Sequence, residues 1–290
     1  MAYTTADLLA SVSRLAFIPA GQVTFSDAEI LAIADEETQT KIMPRLMAIR
    51  EEYFVYPYST SIVQGQRLYA VPSRSIGGMV REVRKVNSNG TYYDLERIEP
   101  EDVQGEQLGT PRQFYLEGES VALYPTPSAT QETLQISFYI EQGKLVDVTQ
   151  SGVISNIDTN TKIVTLATIP STWATNDLFD FAAGRGNQAY KGIDSQGTVS
   201  SNTIQFPSLP ETLAVGDYVT QAETSALVQL PRNMRAVLAQ FTAARLLEAQ
   251  NQPGADKMAE TAVMSLEAAI RMLSPRVKGA SRTLTPDLWF

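Results

Sequence analysis

Enzyme chemistry needs groups that move a proton, attack an electrophile or hold a metal, and this chain offers a short choice. It has no cysteine and no histidine. That removes disulfides, thiolate nucleophiles and metal sites, the commonest general base and the commonest metal ligand. Carboxylates are what remain. Asp35-Glu36-Glu37 and Glu51-Glu52 are the densest groups, but both sit on a helical pattern, where a charged run is expected to be the solvated face. Asp177 and Asp217 recur at matching places in two similar runs. A turn aspartate hydrogen-bonds its own backbone, and a calcium loop needs several closely spaced carboxylates, which neither turn offers. Gly184-Arg185-Gly186 is glycine-rich but lacks the lysine spacing of a phosphate loop and does not open a helix. No catalytic, cofactor-binding or metal-ligating residue is assigned, and no enzyme activity is expected.

One group of residues is left that could recognise something. The stretch 274–290 is aperiodic, carries Arg276, Lys278 and Arg282, and ends Leu288-Trp289-Phe290. It follows a well-terminated helical pattern and has no means of burying itself locally. Two readings stand: a disordered end, or an arm that orders on a partner. Trp and Arg are enriched at interface hot spots, and a terminal Trp289-Phe290 is hard to account for as a solubilising tail.

The 290 residues suffice for one large or two small domains, and 43% apolar with 19% charged residues fits an ordinary globular protein. No apolar run approaches the roughly 20 residues that span a bilayer, so no membrane partner is expected. Residues 1–7 lack the pattern of a signal peptide. The absence of cysteine fits assembly in a reducing cytoplasm. A net charge of -9 argues against a protein that grips phosphates, but suits a surface past which DNA slides.

Several elements must position these residues. Thr4 or Thr5 caps a helix to about Phe17, with Leu8, Leu9, Val12, Leu15 and Ala16 on one face. Ser26-Asp27-Ala28-Glu29 is a capping box that opens a long helix to about Tyr53, which Pro44 should kink or divide near Ile42. Residues 55–147 read as antiparallel β-structure. Pro57 and then Gly65 to Pro72 read as a loop and an edge strand, followed by a bulged strand at 79–86. Asn89-Gly90 marks a hairpin into a strand at 92–98, and a polar connector covers 99–107. The centre of this region is 109–139. Gln113-Phe114-Tyr115-Leu116 and Val121-Ala122-Leu123-Tyr124 reverse at Gly118, Pro125 and Pro127 end the second strand, and Leu134, Ile136, Phe138 and Ile140 alternate on a third strand.

Residues 148–222 form a block rich in Thr, Ser, Asn and Gly that contains a repeat. The run from Ile163 through Pro170 to Asp177-Leu178 matches the run from Ile204 through Pro210 to Asp217-Tyr218, and Gly152 and Gly192 precede the two copies. Two hairpin units closing into a small barrel or sandwich is the simplest account. Leu230-Pro231 then opens a helix to about Gln250 with proline in its first turn. Pro253-Gly254 breaks it, and a helix over 255–273 follows. The expected class is α+β. The expected division is N-terminal helices at 1–54, β-sheet or sandwich at 55–147, an inserted β domain at 148–222, a helical pair at 223–273 that joins the first helices in a bundle, and an extended arm at 274–290.

The chain resembles the head-to-tail adaptor proteins of tailed bacteriophages, also called connector or tail tubular A-type proteins. The resemblance is carried by Gly109, Pro111, Phe114, Tyr115, Leu116, Leu123, Tyr124, Pro125, Pro127, Thr133, Leu134, Leu230 and Pro231, and by Ser274-Pro275-Arg276-Val277-Lys278-Gly279. It covers about 1–147 and 223–290; the 148–222 block departs from the pattern. It implies a helical bundle with a β-sandwich, and a closed ring of about twelve copies between the portal and the tail. Such a ring completes the channel for genome ejection and is a platform for tail nozzle or tube proteins, with tail fibres a further partner. Double-stranded DNA passes through its lumen without specific binding. The resemblance makes Arg276, Lys278, Arg282, Trp289 and Phe290 the portal-binding residues, and places the protein in the virion neck. The competing readings are a tail or host-surface module that binds carbohydrate through the threonine-rich repeat, and a carboxylate glycosidase, for which no defensible pair exists.

Overall fold

The computed structural model describes residues 2–18, 24–103, 105, 107–130, 132–184 and 190–273. Helix α1 (Thr5–Leu15) starts where Thr4 accepts the Asp7 N–H and the Asp7 carboxylate accepts the Thr4 N–H; Ser26 and Glu29 exchange the same bonds at the start of α2 (Asp27–Glu37). The long helical pattern is divided where proline required it: a π-helical turn (Thr38–Ile42) precedes α3 (Met43–Arg50), with Pro44 in the first turn of α3, where its missing N–H costs nothing. Helices α4 (Arg232–Ala249) and α5 (Ala255–Leu273) return at the other end of the described chain. Pro231 lies at the N-cap of α4 in extended conformation, one residue before the expected first turn. Leu8, Val12, Ile30, Ile42, Leu46, Leu238, Phe241, Ala262 and Leu266 share one core. Helix α4 packs against α1, α2 and α5, and its alanines permit close approach.

Strands β1 (Val55–Ser61), β2 (Leu68–Ala70), β3 (Ser75–Val86), β4 (Tyr92–Asp94), β5 (Glu96–Arg97), β6 (Leu108–Gly109), β7 (Gln113–Glu117), β8 (Ser120–Tyr124), β9 (Thr126–Pro127) and β10 (Thr133–Ile140) build a sandwich. One sheet runs β1-β10-β3-β4, the other β2-β8-β7-β5, and β6-β9 pair separately. The β7–β8 hairpin turns at Gly118 (φ 58°) and the β3–β4 hairpin at Gly90 (φ 79°). The bulge expected in the strand opposite β10 is present, as register shifts around Phe138.

Three expectations are corrected. Strand β10 is not the third strand of the β7–β8 sheet. Its apolar face (Leu134, Ile136, Phe138) meets Phe114, Val121 and Leu123 from the opposite sheet, because Pro125 and Pro127 turn the chain out of the ladder. Residues 55–61, expected as loop, are strand β1, whose edge position tolerates Pro57. The strand expected over 92–98 is shared between both sheets, with Leu95 buried at the crossing.

Next come β11 (Lys144–Leu145), β12 (Ser151–Asp158), β13 (Ile163–Leu166), β14 (Leu178–Ala182), β15 (Tyr190–Gln196), β16 (Thr198–Ser200), β17 (Thr203–Gln205), β18 (Tyr218–Gln221) and β19 (Thr224–Ser225). Strands β12 to β18 order as β15-β14-β18-β12-β13-β17-β16. Only Gly197 separates β15 from β16, so the two ends of that order are one run and the sheet closes into a barrel. A Cβ at Gly197 would lie 2.6 Å from Ile204 and 2.9 Å from Phe179, so glycine lets the strand pass over the core. The repeat has a physical basis: Ala174 N–H bonds the Asp177 carboxylate and Ala214 N–H the Asp217 carboxylate, both at 2.8 Å. Strands β11 and β19 pair side by side, so the chain leaves for the barrel and returns at one place.

Candidate interaction surfaces and the junction between them

Arg276, Lys278, Arg282, Trp289 and Phe290 lie outside the described residues, whose last helix, α5, ends at Leu273. Arg185 and Gly186 also lie outside them. The neighbouring Gly184 gives its N–H to Asp217 at 2.9 Å, a structural tie. Asp217 is buried and holds Lys191 at 2.7 Å, a second role that its turn position did not reveal.

The expected solvated face at Asp35-Glu36-Glu37 is found only at Glu36. Helix α2 packs against both α4 and β11. Glu37 is buried beside Lys41 at 2.6 Å. Asp35 accepts the Leu145 N–H on both oxygens, at 2.9 and 3.1 Å, and so fastens β11 to the bundle. Its burial pushes the carboxyl up to about 7, against the Leu145 N–H and Lys144, which favour the charged form. Glu51 and Glu52 are exposed as expected, and Glu51 takes the Tyr139 hydroxyl at 2.8 Å, a tie from bundle to sandwich.

The strongest polar feature joins sandwich to barrel. Arg74, in the turn between β2 and β3, meets Asp180 of β14 at 2.5 Å; the two side chains are 4% and 0% exposed. Asp180 also accepts the N–H groups of Asp194 (3.0 Å) and Glu223 (3.1 Å). The guanidinium lies 4.8 Å from the centre of the Tyr190 ring, and the Tyr190 hydroxyl takes the Gly143 N–H at 2.6 Å. Burial pushes Asp180 up to about 6, opposed by Arg74 and the Asp194 N–H. Burial likewise pushes Tyr190 up to about 12. A cleft of about 530 Å³ opens beside this pair, lined by Asp35, Glu36, Arg74, Glu141, Lys144 and Glu223.

Chemically this arrangement braces. Asp35 and Asp180 are committed to backbone N–H groups, and Asp180 to a cation as well. Among the described residues no group of acidic side chains could hold a metal. The motif reading missed Arg74, Asp180 and Tyr190, although one signal was present. Asp180 interrupts the apolar run Leu178-Phe179-Asp180-Phe181-Ala182, and a charge inside a buried strand requires a partner.

Two comparisons bear on identity. The family model described as SU10 adaptor protein matches residues 3–183, well over half the chain. The match runs through the bundle's first helices and the sandwich and into the 148–222 block, as far as the end of its first repeat. Among curated proteins no match is found.

Proposed function

This chain belongs to the SU10 adaptor protein family, a structural component of bacteriophage particles that meets portal or tail parts, and from that premise we propose that it is the head-to-tail adaptor. In this reading copies form a ring between portal and tail, the ring extends the DNA channel, and residues 274–290 of each copy dock on the portal through Arg276, Lys278, Arg282, Trp289 and Phe290. The observation that carries the reading is the family match. Supporting it are a bundle and sandwich held as one body, the commitment of the buried carboxylates to bracing, and a net charge of -9 that disfavours sticking to DNA. Electron microscopy of the purified protein with portal tests it. A ring of fixed symmetry is expected; isolated monomers or trimers on which no portal assembles would overturn it. Deleting 275–290 should abolish portal docking and leave the unfolding midpoint unchanged. Full portal affinity in that variant would reject the arm.

A further inference from the structure

Asn89 is the one asparagine in the chain that is followed by glycine. That pair carries chemistry of its own. The backbone nitrogen after an asparagine can attack the side-chain Cγ, and glycine, with no Cβ, obstructs the approach least. Asn89 and Gly90 stand at the tip of the β3–β4 hairpin and are both exposed, so water and hydroxide reach them. The conformation there opposes the attack. Gly90 gives its N–H to the Asn87 carbonyl at 2.9 Å, and Thr91 gives its N–H to Asn89 Oδ1 at 3.0 Å. A further bond, from the Asn87 N–H to the Thr91 carbonyl at 3.0 Å, closes the loop. Both reacting groups, the Gly90 nitrogen and the Asn89 carboxamide, are therefore held by hydrogen bonds within the turn.

We propose that Asn89 is a site of spontaneous deamidation that the folded hairpin keeps dormant. In this reaction the Gly90 nitrogen gives up its proton and bonds to Asn89 Cγ, while the side-chain amide takes a proton and leaves as ammonia. A five-membered succinimide remains. Water then opens the ring on one side of its nitrogen or the other. One opening restores the backbone and leaves aspartate; the other leaves the chain running through Cγ as isoaspartate. The reaction consumes only water, with hydroxide as the base. Ring closure must swing the Asn89–Gly90 peptide towards the side chain, which breaks the bond to the Asn87 carbonyl, and must turn the carboxamide off the Thr91 N–H. Reaction therefore waits on local opening of the tip. Two hydrogen bonds oppose that opening, so conversion in the folded chain should be at least about tenfold slower than in the unfolded chain. Its consequence reaches beyond the tip. Either product adds a negative charge, and isoaspartate adds a backbone atom to the loop that sets the register of Arg84–Val86 against Tyr92–Asp94. The inference is independent of the adaptor reading.

The test holds full-length protein in warm, mildly alkaline buffer, native or unfolded in guanidinium, and follows each asparagine by proteolytic peptide mapping with mass spectrometry. In the unfolded chain Asn89 should convert faster than every other asparagine, and in the native chain its rate should fall at least about tenfold. Thr91→Pro removes the N–H that holds the Asn89 carboxamide and should raise the native rate at least about threefold. If that variant does not fold, the comparison of native with unfolded parent decides alone. Equal native and unfolded rates would overturn the protection by the hairpin. Another asparagine converting faster in the unfolded chain would overturn the assignment of the site. A folded Thr91→Pro variant that converts no faster than the parent would overturn the part given to the carboxamide bond.

Discussion

Replacing Asp180 by asparagine keeps the shape of the junction and removes its negative charge. Arg74 stays behind with its side chain 4% exposed, and arginine cannot shed its proton. Breaking a buried pair from one side costs about 3–5 kcal/mol. The amide keeps one acceptor for the Asp194 and Glu223 N–H groups where the carboxylate supplied two, a further cost of about 1–3 kcal/mol. The Tyr190 ring offsets about 1 kcal/mol. The expected loss is therefore about 5 kcal/mol, a large share of the roughly 5–15 kcal/mol that holds a domain folded. Arg74→Met should cost less. The carboxyl it strands is already pushed towards about 6 by burial and can neutralise itself by binding a proton, so the penalty should grow as pH rises above about 6. The double variant Arg74→Met with Asp180→Asn should be more stable than Asp180→Asn alone, because the orphan cation is gone. Urea unfolding followed through Trp173, 7% exposed in the barrel core, reads this directly once Trp289 is replaced by phenylalanine. Two results would refute the reasoning: Asp180→Asn within about 0.5 kcal/mol of the parent, or a double variant whose cost is the sum of the two singles.

Asp35 has a folded value of about 7 against 3.8 for the free group. A raised carboxyl favours the folded state at low pH, so its contribution declines as pH rises from about 4 to 7. The full difference corresponds to about 4 kcal/mol, and solvent in the adjoining cleft should reduce that to about 1–2 kcal/mol. Asp35→Asn should flatten this part of the stability–pH profile measured by urea titration; an unchanged slope would contradict it. Gly197→Ala must push Ile204 or Phe179 aside and should destabilise the barrel by about 1–3 kcal/mol, seen as a lower midpoint of Trp173 fluorescence. Within the repeat, Asp177→Ala removes a half-exposed turn acceptor and should cost about 1 kcal/mol, while Asp217→Ala also strands Lys191 and the Gly184 N–H and should cost about 3 kcal/mol. Equal losses in thermal unfolding of the two variants would show that burial does not distinguish the copies.

What could be read from the sequence was local. The Thr4 and Ser26 caps, the division of the long helix before Pro44, the turns at Gly90 and Gly118 and the buried face of β10 follow from side-chain spacing and backbone chemistry within a few residues. The repeat was legible because its two turns use one hydrogen-bond scheme. What failed was long-range. That β10 crosses to the opposite sheet depends on where its apolar face finds a partner, and alternation is equally satisfied by either sheet. That Asp35 leaves solvent depends on β11, more than a hundred residues downstream, packing on α2. Arg74 and Asp180 lie 106 positions apart, and no local pattern pairs them.

These long-range ties bear on how such a chain can transmit force. The bundle is tied to the sandwich by Tyr139 on Glu51 and to the neck of the barrel by Asp35 on the Leu145 N–H, and the sandwich to the barrel by Arg74 on Asp180. Each tie ends on a carboxylate: Asp35 holds a backbone N–H, and Asp180 holds the Arg74 guanidinium together with two backbone N–H groups. A buried ion pair contributes little net stability compared with a well-packed apolar contact, but it penalises every other geometry heavily. The buried Asp35 and Asp180 thus have a structural role that needs no larger core.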